Sequence, residues 1–161
     1  MDRVKRATHH TAPGDPDPNC KPEGTTRAEF NWAVRVYYED TDLGGVVYHA
    51  NYLRFMERAR TEWLRSLGFE QDLLRDRLKV QFVVVEAKVS FRRPARFNDE
   101  LLVSVCPHKT GRASIGFDQD IRAAAARHAE ICRAGIRVAC IDSHSFKPKA
   151  LPPEILRELA E

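Results

Sequence analysis

Between Tyr38 and Tyr52 the chain reads YEDTDLGGVVYHANY, a run whose residue types suit an active-site loop. Asp40 and Asp42 stand two positions apart, so an extended backbone points both carboxylates to one side and a turn separates them. Gly44 and Gly45 permit positive φ or close approach to a ligand. Val46, Val47, Tyr48 and His49 follow, and Asn51 is a candidate N-cap for a helix. Amides at a helix start lack internal partners and carry the positive end of the helix dipole. A carboxylate beside such amides can act as base or nucleophile while they stabilise an oxyanion. Singly, each of these residues also fits ordinary turn or capping chemistry. Their combination is what marks the loop.

Such a loop needs elements to hold it. Trp32, Val34, Val36 and Tyr38 alternate with Arg35 and Tyr37, the period of a half-buried strand leading into the loop. After it, Tyr52, Phe55, Met56, Ala59, Trp63, Leu64 and Leu67 form an apolar stripe with charged residues between them, which predicts one long helix stopped by Gly68. A short helix is expected over about Gln71 to Arg77. Strands are expected over about Val80 to Phe91, Glu100 to Pro107, Ala113 to Ile121 and Ala129 to Ile141, and a short helix follows Pro152 and Pro153 to Ala160. The break from Ala123 to His128 has little turn chemistry, and its alanines can equally prolong a strand. The expected fold class is α+β, a five-stranded antiparallel sheet with one long helix on its buried face.

At 161 residues the chain suits one domain with a sizeable core. Residues 1 to 28 hold Pro13, Gly14, Pro16, Pro18, Pro22 and Gly24 with little to bury, and read as a flexible tail before a domain over 29 to 161. His9 and His10 within it read as a solvated pair. No apolar run approaches a bilayer span and no hydrophobic segment follows Arg3, Lys5 and Arg6, so a cytoplasmic location is expected. The net charge of +3, from 26 basic and 23 acidic residues, argues against a dedicated nucleic-acid binder. Cys20, Cys106, Cys132 and Cys140 form no CxxC pair, so neither a zinc site nor a disulfide framework is expected. Cys132 and Cys140 fall on one strand face with Ala134, Ile136 and Val138, as core thiols.

The segment VRVYYEDTDLGGVVYHANY, the ERARTEWLRSLG after it, RRPARFND at Arg92 to Asp99 and FKPKALPPEI at Phe146 to Ile155 together resemble the Tol-Pal-associated acyl-CoA thioesterases of the YbgC type. These lie within the 4-hydroxybenzoyl-CoA thioesterase-like hotdog superfamily, and the likeness covers about Phe30 to Glu161. The resemblance implies a hotdog fold, with the sheet wrapped around the central helix. It implies homodimers that pair edge strands and share active sites, assembling into homotetramers. It places the acidic catalytic residue at Asp42 and a site histidine at His49, whose amide falls where the family polarises the thioester carbonyl. Gly44, Gly45, Val46 and Tyr48 become the substrate loop, and Lys109 and Arg112 become candidates for the coenzyme A phosphates. No cofactor or metal is implied, since coenzyme A belongs to the substrate. Acyl carrier protein is a further expected partner, and the cytoplasmic face of the inner membrane a further expected location. Leu43 stands where smaller residues are common, which bears on substrate preference.

The expected reaction is hydrolysis of a short-chain, medium-chain or aromatic acyl-CoA, with Asp42 as general base to water or as nucleophile. His49 has three open roles: orienting water, binding the carbonyl, or holding Asp42. Asp40 and Glu39, nearer the strand end, are expected to bond turn amides. Tyr48 and Tyr52 line the acyl pocket or simply pack, and Arg92, Arg93 and Arg96 meet phosphates or form a solvated strand end. Two rival readings share the loop. One is a module that binds acyl-CoA or acyl carrier protein without cleaving it; the other is a metal hydrolase using Asp40, Asp42 and His49.

Overall fold

A computed structural model describes residues 29–125 and 129–159. The expected tail, with His9 and His10, lies outside the described residues. Five strands form one antiparallel sheet in the order β1-β3-β4-β5-β2: β1 (Phe30–Arg35), β2 (Val80–Phe91), β3 (Glu100–Gly111), β4 (Ser114–Ala123) and β5 (Glu130–Asp142). Helix α1 (His49–Ser66) lies on one face, and α2 (Gln71–Leu78) and α3 (Pro153–Glu158) are short.

Period and punctuation account for the elements. The apolar stripe of α1 buries Tyr52, Phe55, Met56, Ala59, Trp63 and Leu64. The helix ends as Gly68 takes φ +84°, a left-handed conformation that stops the repeat. Its core partners alternate along the strands: Val103 and Val105 on β3, Ile115, Phe117 and Ile121 on β4, and Cys132, Ala134, Ile136 and Val138 on β5. The opposite face is charged. There Asp120 binds Arg122 at 3.0 Å and Arg133 at 2.8 Å, and Glu86 on β2 binds Arg137 on β5 at 3.2 Å.

Three local expectations change. The first strand ends at Arg35, because Tyr38 enters a 3-10 turn (Tyr38–Asp40). Strand β3 runs on to Gly111, past Pro107, since the hairpin to β4 is tight. Among the cysteines, Cys132 and Cys140 are buried thiols, raised by burial to about 12 and about 11, whereas Cys106 is disulfide-bonded, contrary to expectation.

Candidate active site

The loop between β1 and α1 is held by backbone bonds at nearly every step. Asp42 N–H donates to Val46 O at 3.0 Å, Gly45 N–H to Asp42 O at 3.0 Å, and Tyr48 N–H to Asp40 O at 2.9 Å. Val47 is buried and its N–H donates to Ala95 O at 2.8 Å, bolting the loop to the segment that joins β2 to β3. Gly45 has φ +69°, which a side chain would strain. At Gly44 an added Cβ would stand 3.0 Å from Asp42 Oδ1, so the glycine permits the carboxylate to close on its amide.

The turn separates the two aspartates. Asp40 is buried, its Oδ2 accepts from Tyr37 N–H at 2.8 Å and its carbonyl accepts from Asn51 Nδ2 at 2.9 Å, which makes it structural. Asp42 is exposed, and its Oδ1 accepts from Gly44 N–H at 2.8 Å. Its Oδ2 has no hydrogen-bond partner among the described residues, so one oxygen is anchored and the other is available for chemistry. The charge of Asp42 also reaches Tyr52, whose hydroxyl pKa is raised first by burial and, in smaller part, by Asp42.

Helix α1 starts at His49, not after Asn51, so the expected N-cap is corrected. Asn51 sits in the first turn, buried, and ties the helix back to the 3-10 turn through Asp40. The His49 N–H, at the positive end of the helix dipole, has no acceptor among the described residues. The His49 ring is exposed, 4.4 Å from the Tyr48 ring and 6.4 Å from the Phe91 ring between centroids. Among the described residues, no group of three or more His, Cys, Asp or Glu is placed to hold a metal ion.

The other candidates divide by position. Val46 is half-buried in the loop, and Leu43 is fully exposed at its tip. Arg92, Arg93 and Arg96 lie at this end of the sheet: Arg92 approaches Glu130 at 3.5 Å, while Arg93 and Arg96 have no ion pair among the described residues. Lys109 and Arg112 lie at the other end. β1 meets β3 where Arg35 pairs with Glu100, but Lys109 pairs with Ile115 beside the β3-β4 hairpin. Nine residue steps of strand separate Glu100 from Lys109, about 30 Å, so one chain does not bring these cations to Asp42.

Two supporting residues escaped the sequence. Ala95 is buried beneath the loop; its N–H donates to Tyr52 Oη at 3.0 Å and its carbonyl takes the Val47 amide. Phe91, at the end of β2, packs 5.7 Å from the Tyr52 ring and so walls the site. The arginine-rich segment around Ala95 drew attention for its charge, yet its small central residue does the docking. Tyr52, read as pocket lining or packing, is a backbone clamp as well.

Comparison with known proteins bears on the family and the fold. A family model for the Thioesterase-like superfamily matches residues 36–159. The acyl-CoA thioesterase YbgC of Haemophilus influenzae is 42% identical over 126 residues, covering 78% of this chain and 90% of that protein. The 1,4-dihydroxy-2-naphthoyl-CoA hydrolase of Nostoc punctiforme is 32% identical over 130 residues, covering 81% and 86%. Among solved structures, a 1,4-dihydroxy-2-naphthoyl-CoA thioesterase from Synechocystis superposes with TM-score 0.78 at 25% identity, covering 83% of this chain and 97% of that one. A probable thioesterase from Bartonella henselae follows at TM-score 0.72 and 34% identity, covering 78% and 100%. A hotdog sheet around α1 and a match running from the loop to α3 place the chain in the Thioesterase-like superfamily.

Proposed function

We propose that this chain hydrolyses acyl-CoA thioesters, with Asp42 as the group that activates water or attacks the carbonyl itself. The observation that carries the reading is the Asp42 carboxylate, one oxygen fixed by the Gly44 amide and the other unbonded, in the loop that runs into the open His49 amide. On the water path, Asp42 Oδ2 accepts a proton as the water oxygen bonds to the thioester carbon. Negative charge then develops on the carbonyl oxygen, where the His49 N–H and the helix dipole stabilise it. Collapse breaks the C–S bond, and coenzyme A leaves as its thiol after taking up a proton. On the nucleophilic path the same oxygen bonds to carbon, the C–S bond breaks and coenzyme A leaves as its thiol after taking up a proton, and water then hydrolyses the anhydride to free the acid and restore the Asp42 carboxylate. The curated YbgC relatives named as acyl-CoA thioesterases support the reaction class.

The substrate range in this reading is short-chain, medium-chain or aromatic acyl-CoA, with acyl carrier protein as a second carrier to test. A homodimer fits the edge of β2, whose outer side is unpaired in the sheet and whose Val84 and Val85 are half exposed. In such a dimer, assembling further into a tetramer, Lys109 and Arg112 would serve the coenzyme A phosphates of the neighbouring copy's site. No helix among the described residues is long and apolar enough to cross a membrane. Action in the cytoplasm, at the inner membrane's cytoplasmic face, rests on the family resemblance alone. The test is thiol release across acyl-CoA esters of graded length and benzoyl type, run beside Asp42→Asn. A folded variant hydrolysing at the parent rate would remove Asp42 from its role. No release from any ester, with acyl-CoA binding intact, would favour the binding module.

A further inference from the structure

About 16 Å along α1 from His49, eleven residues at 1.5 Å each, the helix presents a different kind of chemistry. Arg60 is buried, only 9% exposed, on the face packed against the sheet. Its Nη1 donates to Gln119 Oε1 at 2.7 Å, and its guanidinium stands 5.9 Å from the centre of the Phe117 ring. Gln119 is otherwise occupied, its Nε2 donating to the carbonyls of Met56 at 3.2 Å and Ser104 at 3.3 Å. An arginine has five N–H donors, and a buried cation is costly unless it is paired. No described carboxylate forms an ion pair with Arg60; Glu57 attracts it from a distance, while Glu57 Oε1 accepts from Thr61 Oγ1 at 2.8 Å. Arg60 borders an open cavity of about 90 Å³ with apolar walls from Trp63, Leu64, Phe82, Phe117 and Val138, and Glu57, Thr61 and Gln71 also line it.

We propose that this cavity binds a small carboxylic acid, its carboxylate on Arg60 and its apolar body against Trp63, Phe82 and Phe117. The planar fork of an arginine matches a carboxylate, and the bond is strengthened where water is excluded. The apolar walls favour a hydrocarbon body over a bare inorganic anion. The cavity is smaller than the roughly 150 Å³ that encloses benzene, but it is open at its mouth, so the carboxylate and first carbons of an aliphatic acid lie within it while the rest of a hexanoate chain, like an aromatic ring, projects through the mouth. The site itself does not depend on Asp42. That its ligand is the acid released by thioester hydrolysis rests on the proposed function.

Trp63 lines the cavity, and Trp32 is the other tryptophan of the chain, so a Trp32→Phe background isolates the Trp63 emission. In the full-length protein, hexanoate should change that emission saturably, and hexan-1-ol should bind at least tenfold more weakly. Arg60→Gln should weaken hexanoate at least tenfold and leave hexan-1-ol unaltered. Equal affinity for acid and alcohol, parent affinity for hexanoate in Arg60→Gln, or no saturable response would each overturn the proposal. Should Arg60→Gln fail to fold, the acid-to-alcohol ratio in the parent still decides. Asp42→Asn should bind hexanoate as the parent does; loss of binding there would mean the acid occupies the hydrolytic site instead. Hexanoate binding by a chain that hydrolyses no acyl-CoA would sink the proposed function and leave this site standing.

Discussion

The two ends of α1 solve the problem of presenting charge in opposite ways. At the first turn the useful groups face solvent: an exposed carboxylate, an open backbone amide and an exposed imidazole, all held by a loop bonded to its neighbours. Three turns on, the charge is a side chain under the helix, set among apolar walls at an open cavity and anchored by one glutamine. The first arrangement depends on backbone geometry and the second on burial. Substitutions should therefore fail differently at the two ends.

The largest effect is expected at Asp42. Asp42→Asn should lower kcat by about 10²-fold or more, roughly 2.7 kcal/mol of transition-state stabilisation, with the thermal midpoint unmoved, as read by thiol release and thermal melting. Next, Tyr52→Phe should leave the buried Ala95 amide without its acceptor. A loss of about 1–3 kcal/mol in urea unfolding is expected; no loss would mean the clamp is dispensable. Gly45→Ala forces a side chain into the left-handed region, so about 1 kcal/mol of stability should go, with kcat falling as the loop shifts. The smallest effect is expected at the far end. Arg60→Met relieves a buried charge and strands Gln119 Oε1, two terms of opposite sign, so its stability should stay within about 1 kcal/mol of the parent. A cost of several kcal/mol there would show that Arg60 is a structural pillar and would erase the contrast between the ends.

Much of the frame was legible because hydrophobic period is a local property. The bounds of β2 follow the expected run from Val80 to Phe91, and the stripe from Tyr52 to Leu64 marked the buried face of α1. Boundaries were harder at the loop, where Tyr38 continues the strand alternation but enters a 3-10 turn under the pull of the Asp40 bonds. Asn51 has the chemistry of an N-cap, yet its amide is used eleven residues back along the chain. Local propensity cannot see such a partner. Asp40 was expected, from its nearness to the strand end, to bond turn amides, and it is buried with its carboxylate on the Tyr37 N–H, while Asp42 is exposed.

Composition and spacing alone determined an α+β chain with one long amphipathic helix and a loop carrying Asp42 and His49, since these depend on side-chain type and repeat. Tertiary structure decided which atoms are available. It held Asp42 Oδ1 on Gly44 and left Oδ2 unbonded, placed Ala95 beneath the loop, carried Lys109 and Arg112 to the opposite end of the sheet, and set Arg60 against a cavity. Those outcomes require contacts between residues tens of positions apart. Only closure of the sheet over the helix brings such residues together, and burial then sets what each polar group can do.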